Sequence, residues 1–191
     1  MVTGTREALI DAAAQLLDHG GAEAVTLREV GRRAGVSHNA PYKHFRSKEA
    51  LLASVAAREL REHSLGLSGG SPGATLRAAM HDYVAWALTS PARFKLVFGA
   101  WSVESPDLAA AAGSAHAVLV DLVAGAQRDG ELPAGDAVRL ASLVRALAHG
   151  AADLAAAGHL AADGKGNADP QHLVDDLLAY LRTVAQAPGT R

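Results

Sequence analysis

Between Thr26 and Lys48, a run of 23 residues, six basic side chains (Arg28, Arg32, Arg33, Lys43, Arg46 and Lys48) stand against one acid, Glu29. From Ser64 to Arg191 the balance reverses, with 9 basic and 12 acidic residues, and the whole chain carries a formal charge of −2. A small cationic patch on an otherwise acidic chain suits a partner such as the phosphate backbone of duplex DNA, and it excludes a uniformly basic DNA-packing protein. Polar groups with base-reading chemistry lie within the patch. Asparagine can pair with adenine through two hydrogen bonds and lysine can donate to guanine, so Asn39 and Lys43, with His38 beside them, form a candidate reading face. Helix starts at Thr26 and Ser47 offer free N–H groups to phosphates, with Lys48 alongside. On charge alone, a merely solvated surface remains an open alternative.

Such a face needs short helices to hold it. Leu9, Ile10, Ala13, Leu16 and Leu17 predict an amphipathic helix over 5–19, stopped by Gly20-Gly21. Thr26 with Glu29 reads as a capping box for a helix from Leu27 to Ala34 that buries Leu27, Val30 and Ala34. Gly35-Val36 makes a turn, and Ser37 caps a further helix running to about His44. Ala34 is expected where the two short helices cross. Pro41, at the fourth position of the second, should cost it a hydrogen bond and leave it irregular. Tyr42 and Phe45 are expected to point back to the core, although a tyrosine hydroxyl there could also reach a phosphate. His38, Asn39 and Lys43, and in part Ala40 and Pro41, are left facing the groove. Ser47 caps a longer helix carrying Leu51, Leu52, Val55 and Leu60.

Two short helices around a tight turn form a helix-turn-helix, in which the first braces the backbone and the second enters the major groove. The pattern Ile10-Asp11-Ala12-Ala13, Gly20, Thr26, Val30, Ala34-Gly35-Val36-Ser37, Tyr42-Lys43-His44-Phe45, Ser47-Lys48-Glu49 and Leu51-Leu52 resembles the DNA-binding domain of the TetR family of bacterial regulators. Pro41 departs from that family's commonest pattern. The resemblance implies an all-helical homodimer that grips a palindromic operator and lets go when a small molecule enters the C-terminal body, which is the behaviour of a repressor. It also implies that Thr26, Tyr42, His44 and Lys48 approach phosphates. Arg28 and Ser37 complete the expected DNA-binding set.

The expected architecture is therefore all-α. A three-helix DNA-binding domain (1–65) is joined by a fourth helix to a helical ligand-binding and dimerisation domain (66–191). The boundary is the breaker-rich run Gly66–Gly73. Helical patterns follow over 74–89, 91–99, 107–128, 136–157 and 171–185, with a loop over 158–170. Leu173, Val174, Leu177, Leu178, Leu181 and Val184 give the last helix near-heptad spacing, so it and its predecessor are the expected dimer bundle. Arg93-Phe94-Lys95-Leu96-Val97-Phe98, followed by Leu147-Ala148-His149-Gly150, resembles a TetR body subtype marked by a tryptophan and a His-Gly pair, with Arg145 at the tryptophan's place.

Aromatics make up only 4% of the chain, and Tyr83, Trp86, Phe94, Phe98 and Trp101 concentrate in the body. Aromatics at helical spacing are usually core. Here they are also candidate walls of a cavity for a hydrophobic or aromatic effector, with Arg145 or His149 orienting it. His81, His116 and His149 are expected as ordinary core or surface histidines and not as a metal site. The chain has no cysteine, hence no disulfide and no thiolate chemistry. No Gly-x-Ser-x-Gly elbow, phosphate-cradling loop or His-Glu-x-x-His run occurs, so neither an enzyme nor a cofactor is expected. Early acidic residues argue against a secretory leader. With no uninterrupted run of eighteen apolar residues, a cytoplasmic protein without a membrane partner is the expectation.

Overall fold

A computed structural model describes residues 4–64, 70–161 and 166–187, and all their regular structure is helical. The helices are α1 (Thr5–Ala24), α2 (Leu27–Arg33), α3 (Ala40–His44), α4 (Lys48–Ser64), α5 (Pro72–Thr89), α6 (Pro91–Val97), α7 (Pro106–Arg128), α8 (Ala137–Ala156) and α9 (Pro170–Gln186). Part of the expected linker (65–69) and part of the loop expected over 158–170 (162–165) lie outside the described residues. By packing, the chain forms two compact units. One runs to Glu62 and includes Ser90–Gly113; the other holds His63–Thr89 and everything from Ser114. A boundary at residue 65 thus divides the chain by sequence, whereas packing adds α6 and the start of α7 to the first unit.

In the first unit the apolar stripe of α1 (Leu9, Ile10, Ala13, Leu16, Leu17) packs with Val25, Val30, Phe45, Leu51, Leu52 and Val55. Ala92, Leu96 and Trp101 lie against the same core. The expected stop in α1 is present: Gly20 and Gly21 leave helical geometry, and Gly21 takes φ 66°, a conformation that glycine adopts at little cost. Guanidinium groups tie neighbouring helices: Arg58 of α4 pairs with Asp11 of α1, and Arg6 of α1 donates to Ser54 Oγ of α4 at 3.0 Å. Arg33 Nε donates to Gln15 Oε1 at 2.9 Å, linking α2 to α1. Arg61 pairs with Asp107, linking α4 to α7. Arg93 of α6 donates to both oxygens of Asp18 on α1 (2.9 and 2.6 Å) and through Nη1 to Glu59 on α4 (3.0 Å). The Glu59 side chain is 2% exposed. A buried carboxylate needs a close cation, so this contact holds α6 in place as well as linking α1 and α4.

The crossing of the two short helices differs from expectation. α3 begins at Ala40, and residues 37–39 form a turn in which Ala40 N–H donates to Ser37 O at 2.9 Å. Pro41 therefore falls in the first helical turn, where its missing N–H would have had no intrahelical partner, and α3 loses nothing by it. Its ring is buried, not groove-facing as expected. It closes on Gly31, where a Cβ would come within 2.8 Å of Pro41 Cγ. Gly31 is thus the point of close approach, and Ala34 is only half-buried. Pro41 and Phe45, one turn apart, face the core, which leaves Tyr42 outside at 54% exposed.

The second unit is built from α5, α8 and α9 in mutual contact, with the later part of α7 completing its core. Leu76, Met80 and Val84 of α5 meet Leu119 and Val123 of α7, Val144 and Ala148 of α8, and Val174 and Leu178 of α9. Buried alanines on α8 (Ala141, Ala148, Ala151, Ala152) let its neighbours come close. Asp136 and Asp169 cap α8 and α9, each accepting from two backbone N–H groups. By length and composition α7 has an 18-residue window apolar enough to cross a membrane, with mean hydropathy 1.6 and 22% of it buried. Leu119, Val123 and Ala126 of that helix belong to the core of this unit.

α5 and α9 are joined at Asp175. Arg77 donates to its two oxygens (2.6 and 2.7 Å), and His81 Nε2 lies 2.7 Å from Oδ1. Hydrogen bonding by the Arg77 guanidinium holds the Asp175 carboxyl well below the usual carboxylate range, against partial burial, with His81 adding to the effect.

Two outcomes follow from this packing. Gly31→Ala should lower stability by about 1–3 kcal/mol through overpacking at Pro41, read by urea denaturation, whereas Gly35→Asn should be much milder. Asp175 stabilises the fold while ionised, so its contribution is complete above the unfolded pKa of about 3.9 and lost as pH falls further. Asp175→Asn should cost about 1–3 °C in Tm at pH 7, a small value because the pair is partly solvated, and the difference should vanish well below pH 3.

Candidate nucleic-acid interface

The expected reading face starts at Thr26. Its backbone is extended and its Oγ1 accepts from Glu29 N–H at 3.1 Å, which fixes the first turn of α2. Only this half of the capping box forms. The Glu29 carboxylate turns instead to Arg32, which donates to it at 2.9 and 2.6 Å, and that hydrogen bonding keeps Glu29 below the usual carboxylate range. With Arg33 held by Gln15, two of the six cations are committed to partners within the fold. Arg28, Lys43 and Arg46 are exposed.

After the turn at Gly35 (φ 67°), Ser37, His38 and Asn39 are all exposed, and α3 presents Tyr42, Lys43 and His44. The Tyr42 ring is 6.0 Å from that of His38, so the two share one patch. Ser47 Oγ accepts from Ala50 N–H at 3.1 Å and opens α4, with Lys48 half-exposed beside it. Of the expected DNA-binding set, Thr26, Arg28, Ser37, His38, Asn39, Tyr42, Lys43, His44 and Lys48 are solvent-accessible. Pro41 is the exception, and its role is to seat α3 on α2. The arrangement offers two helix N-termini for phosphates and, between them, a turn and a short helix with amide, imidazole and ammonium groups outward. Sequence reasoning missed Arg6, whose guanidinium lies 5.4 Å above the Phe45 ring and donates to Ser54 Oγ at 3.0 Å. It also missed the Arg93–Glu59 contact, although an acid at Glu59 on the apolar stripe of Leu52, Val55 and Ala56 was a legible sign of a buried partner.

The expected effector-binding residues fall into two groups. Phe94, Phe98 and Trp101 belong to the first unit: Phe94 is buried, Phe98 is exposed with its ring 4.8 Å from that of Phe94, and Trp101 lies against the core. Tyr83, Trp86, Arg145 and His149 belong to the second. There His63 stacks on Trp86 at 4.2 Å, Tyr83 meets the Trp86 ring edge-on, and the Tyr83 hydroxyl lies 2.8 Å from His149 Nδ1. Burial pushes the Tyr83 phenol well above its ordinary pKa. His63 carried no sequence signal for this stack. The second unit also holds an open groove of about 570 Å³ between the Arg77–Asp175 and Arg182–Glu131 pairs, distinct from the expected effector residues. Among the described residues no group of three His, Cys, Asp or Glu side chains could hold a metal ion.

Comparison with known proteins agrees with this geometry. The family model for bacterial regulatory proteins of the tetR family matches residues 9–55, and the one for a tetracyclin repressor-like C-terminal domain matches residues 76–181. A stretch of 58 residues, 30% of this chain, is 36% identical to the tetracycline repressor protein class D of Escherichia coli and spans 27% of that protein. A structure of a protein of unknown function from Rhodococcus sp. RHA1 superposes with TM-score 0.81 at 28% identity, covering 95% of each chain. AibR, solved with isovaleryl coenzyme A and operator DNA, shares the fold with TM-score 0.62 at 16% identity, over 93% of this chain and 98% of that one. With one model on the helix-turn-helix and another over more than half of the sequence, this chain belongs to the TetR family of bacterial transcriptional regulators.

Proposed function

We propose that the protein is a homodimeric cytoplasmic repressor that grips a palindromic operator through residues 26–48 and is released by a small apolar effector. The observation that carries the reading is the single solvent-facing patch of His38, Asn39, Tyr42, Lys43 and His44, flanked by the capped helix starts at Thr26 and Ser47. Phosphates at the two starts fix the register, Tyr42, His44 and Lys48 add contacts to the backbone, and His38, Asn39 and Lys43 read bases. Arg28 and Ser37 lie at the rim of the same patch. The protein's work is binding, not catalysis.

Dimerisation through α8 and α9 is supported by the apolar side chains these helices leave in water: Val138, Leu143 and Leu154 on one, Tyr180 and Val184 on the other. Two heads joined in this way suit half-sites about 34–36 Å apart or multiples of that spacing. For the effector, Tyr83, Trp86, Arg145 and His149 supply aromatic walls with a few polar groups, and Phe94, Phe98 and Trp101 are further candidates. The Tyr83–His149 hydrogen bond also favours the Trp/His-Gly body subtype, since His149-Gly150 then orients a polar group toward the aromatics. AibR, solved with isovaleryl coenzyme A and operator DNA, is a precedent on this fold for a small molecule that carries a short apolar acyl group. Release requires the effector to bind the DNA-free state more tightly than the DNA-bound one.

The test is retardation of genomic fragments by the purified protein, repeated with variants and candidate effectors. Lys48→Ala should weaken binding to all sequences alike and lower the salt slope by about one ion per head. Asn39→Ala and Lys43→Ala should change which bases are preferred; equal losses on every sequence for all three would remove base readout. An effector should quench Trp86 or Trp101 fluorescence in the concentration range that frees the operator, and quenching at unchanged operator affinity would separate the two events. For the interface, Leu143→Arg is cleaner than a charge at half-buried Leu177 or Leu181. It should give monomers of native helicity that lose the operator, and a variant that still elutes as a dimer places the interface elsewhere.

A further inference from the structure

Arg93 lies far along the chain from the helix-turn-helix, yet it joins two helices of the same compact unit. Its guanidinium donates twice to Asp18 in the last turn of regular α1 and once to Glu59 in the second half of α4. Both attachment points lead to the DNA-facing surface. Gln15, three residues before Asp18, receives Arg33 of α2, and the chain beyond Asp18 passes the glycine break to reach Thr26. Glu59 belongs to the helix that Ser47 caps. The bidentate geometry fixes angle as well as distance, because a planar guanidinium and a planar carboxylate meet in one orientation. The Arg93 side chain is only 24% exposed and its donors are engaged by the two carboxylates, so it is poorly placed to bind DNA itself.

We propose that Arg93 is a positioning residue for DNA binding, setting the end of α1 against α4 and thereby the separation of Thr26 and Ser47, which bound the DNA-facing stretch. This rests on residues 26–48 being the DNA-binding surface. Asp18 and Glu59 are the other two members of the device, and α6 serves the head because it carries Arg93. Two phosphates on one duplex are at fixed separation, so a head whose two helix starts drift apart can hold one but not both.

Asp18→Ala separates positioning from charge and from stability. Removing an acid makes the head more positive, which by long-range electrostatics alone would tighten DNA binding. Alanine also suits the end of α1, where a carboxylate opposes the helix dipole. Positioning gives the opposite sign for binding: operator affinity should fall about tenfold and the salt slope by about one ion per head, at native helicity and nearly native Tm. Binding as tight as the parent's, or weaker binding at the parent's salt slope, would overturn the proposal. If Asp18→Ala does not keep native helicity, the double variant Glu59→Gln/Arg93→Met decides, because it removes the tie without leaving a buried charge. Operator binding weaker than the parent's with a lowered salt slope supports positioning, and binding at the parent's affinity or at its salt slope makes Arg93 merely structural. The parent is measured throughout: a parent that retains no DNA shows that the DNA-binding reading itself has failed, and this proposal falls with it.

Discussion

Helices of seven and five residues do not persist alone in water, because nucleating a turn costs more than so few hydrogen bonds return. The candidate reading face of this protein is made of two such helices, α2 and α3. They exist because Val30, Pro41 and Phe45 are buried beside α1 and α4, and because Gly31 allows α2 and α3 to close without a Cβ between them. Every outward group on the patch depends on that burial. The direction of Asn39 and Lys43 is a consequence of Pro41 and Phe45 facing the other way.

The same dependence gives the polar ties between the helices of this unit their use. Arg33 with Gln15 and Arg93 with Asp18 and Glu59 each join helices that hydrophobic contact alone would leave free to slide. Apolar burial is non-directional, whereas a charge-assisted hydrogen bond selects one geometry. A surface that must match the fixed spacing of phosphates gains more from the second kind of contact than its stability requires.

The other unit shows a different economy. Alanines bring α8 close to its neighbours, and the core is completed by medium-sized side chains from four helices. Large apolar groups are left over on the outer sides of α8 and α9, and a cluster of rings surrounds the Tyr83–His149 contact. Association is a natural use of the exposed surplus, since apolar side chains held in water gain free energy from any partner of matching shape.

The sequence by itself determined the helical class, nearly every helix and the position of the helix-turn-helix, because period, caps and breakers are local properties. Leu9 to Leu17 repeat at helical spacing, Gly20-Gly21 and Gly35 break the chain, and Thr26, Ser47 and Asp136 each stand where a helix begins. Local pattern could not say which way a residue faces in a helix of five, where one turn offers too few positions to define a stripe. Spacing therefore reads Tyr42 as inward and Pro41 as partly outward, whereas packing against Gly31 buries Pro41 and leaves Tyr42 outside. Nor could it join partners distant in sequence. That Glu59 would be buried by Arg93, that His63 would stack on Trp86, and that α6 would pack with the first unit were decided by tertiary structure alone, because each is a meeting of surfaces that no spacing along the chain records.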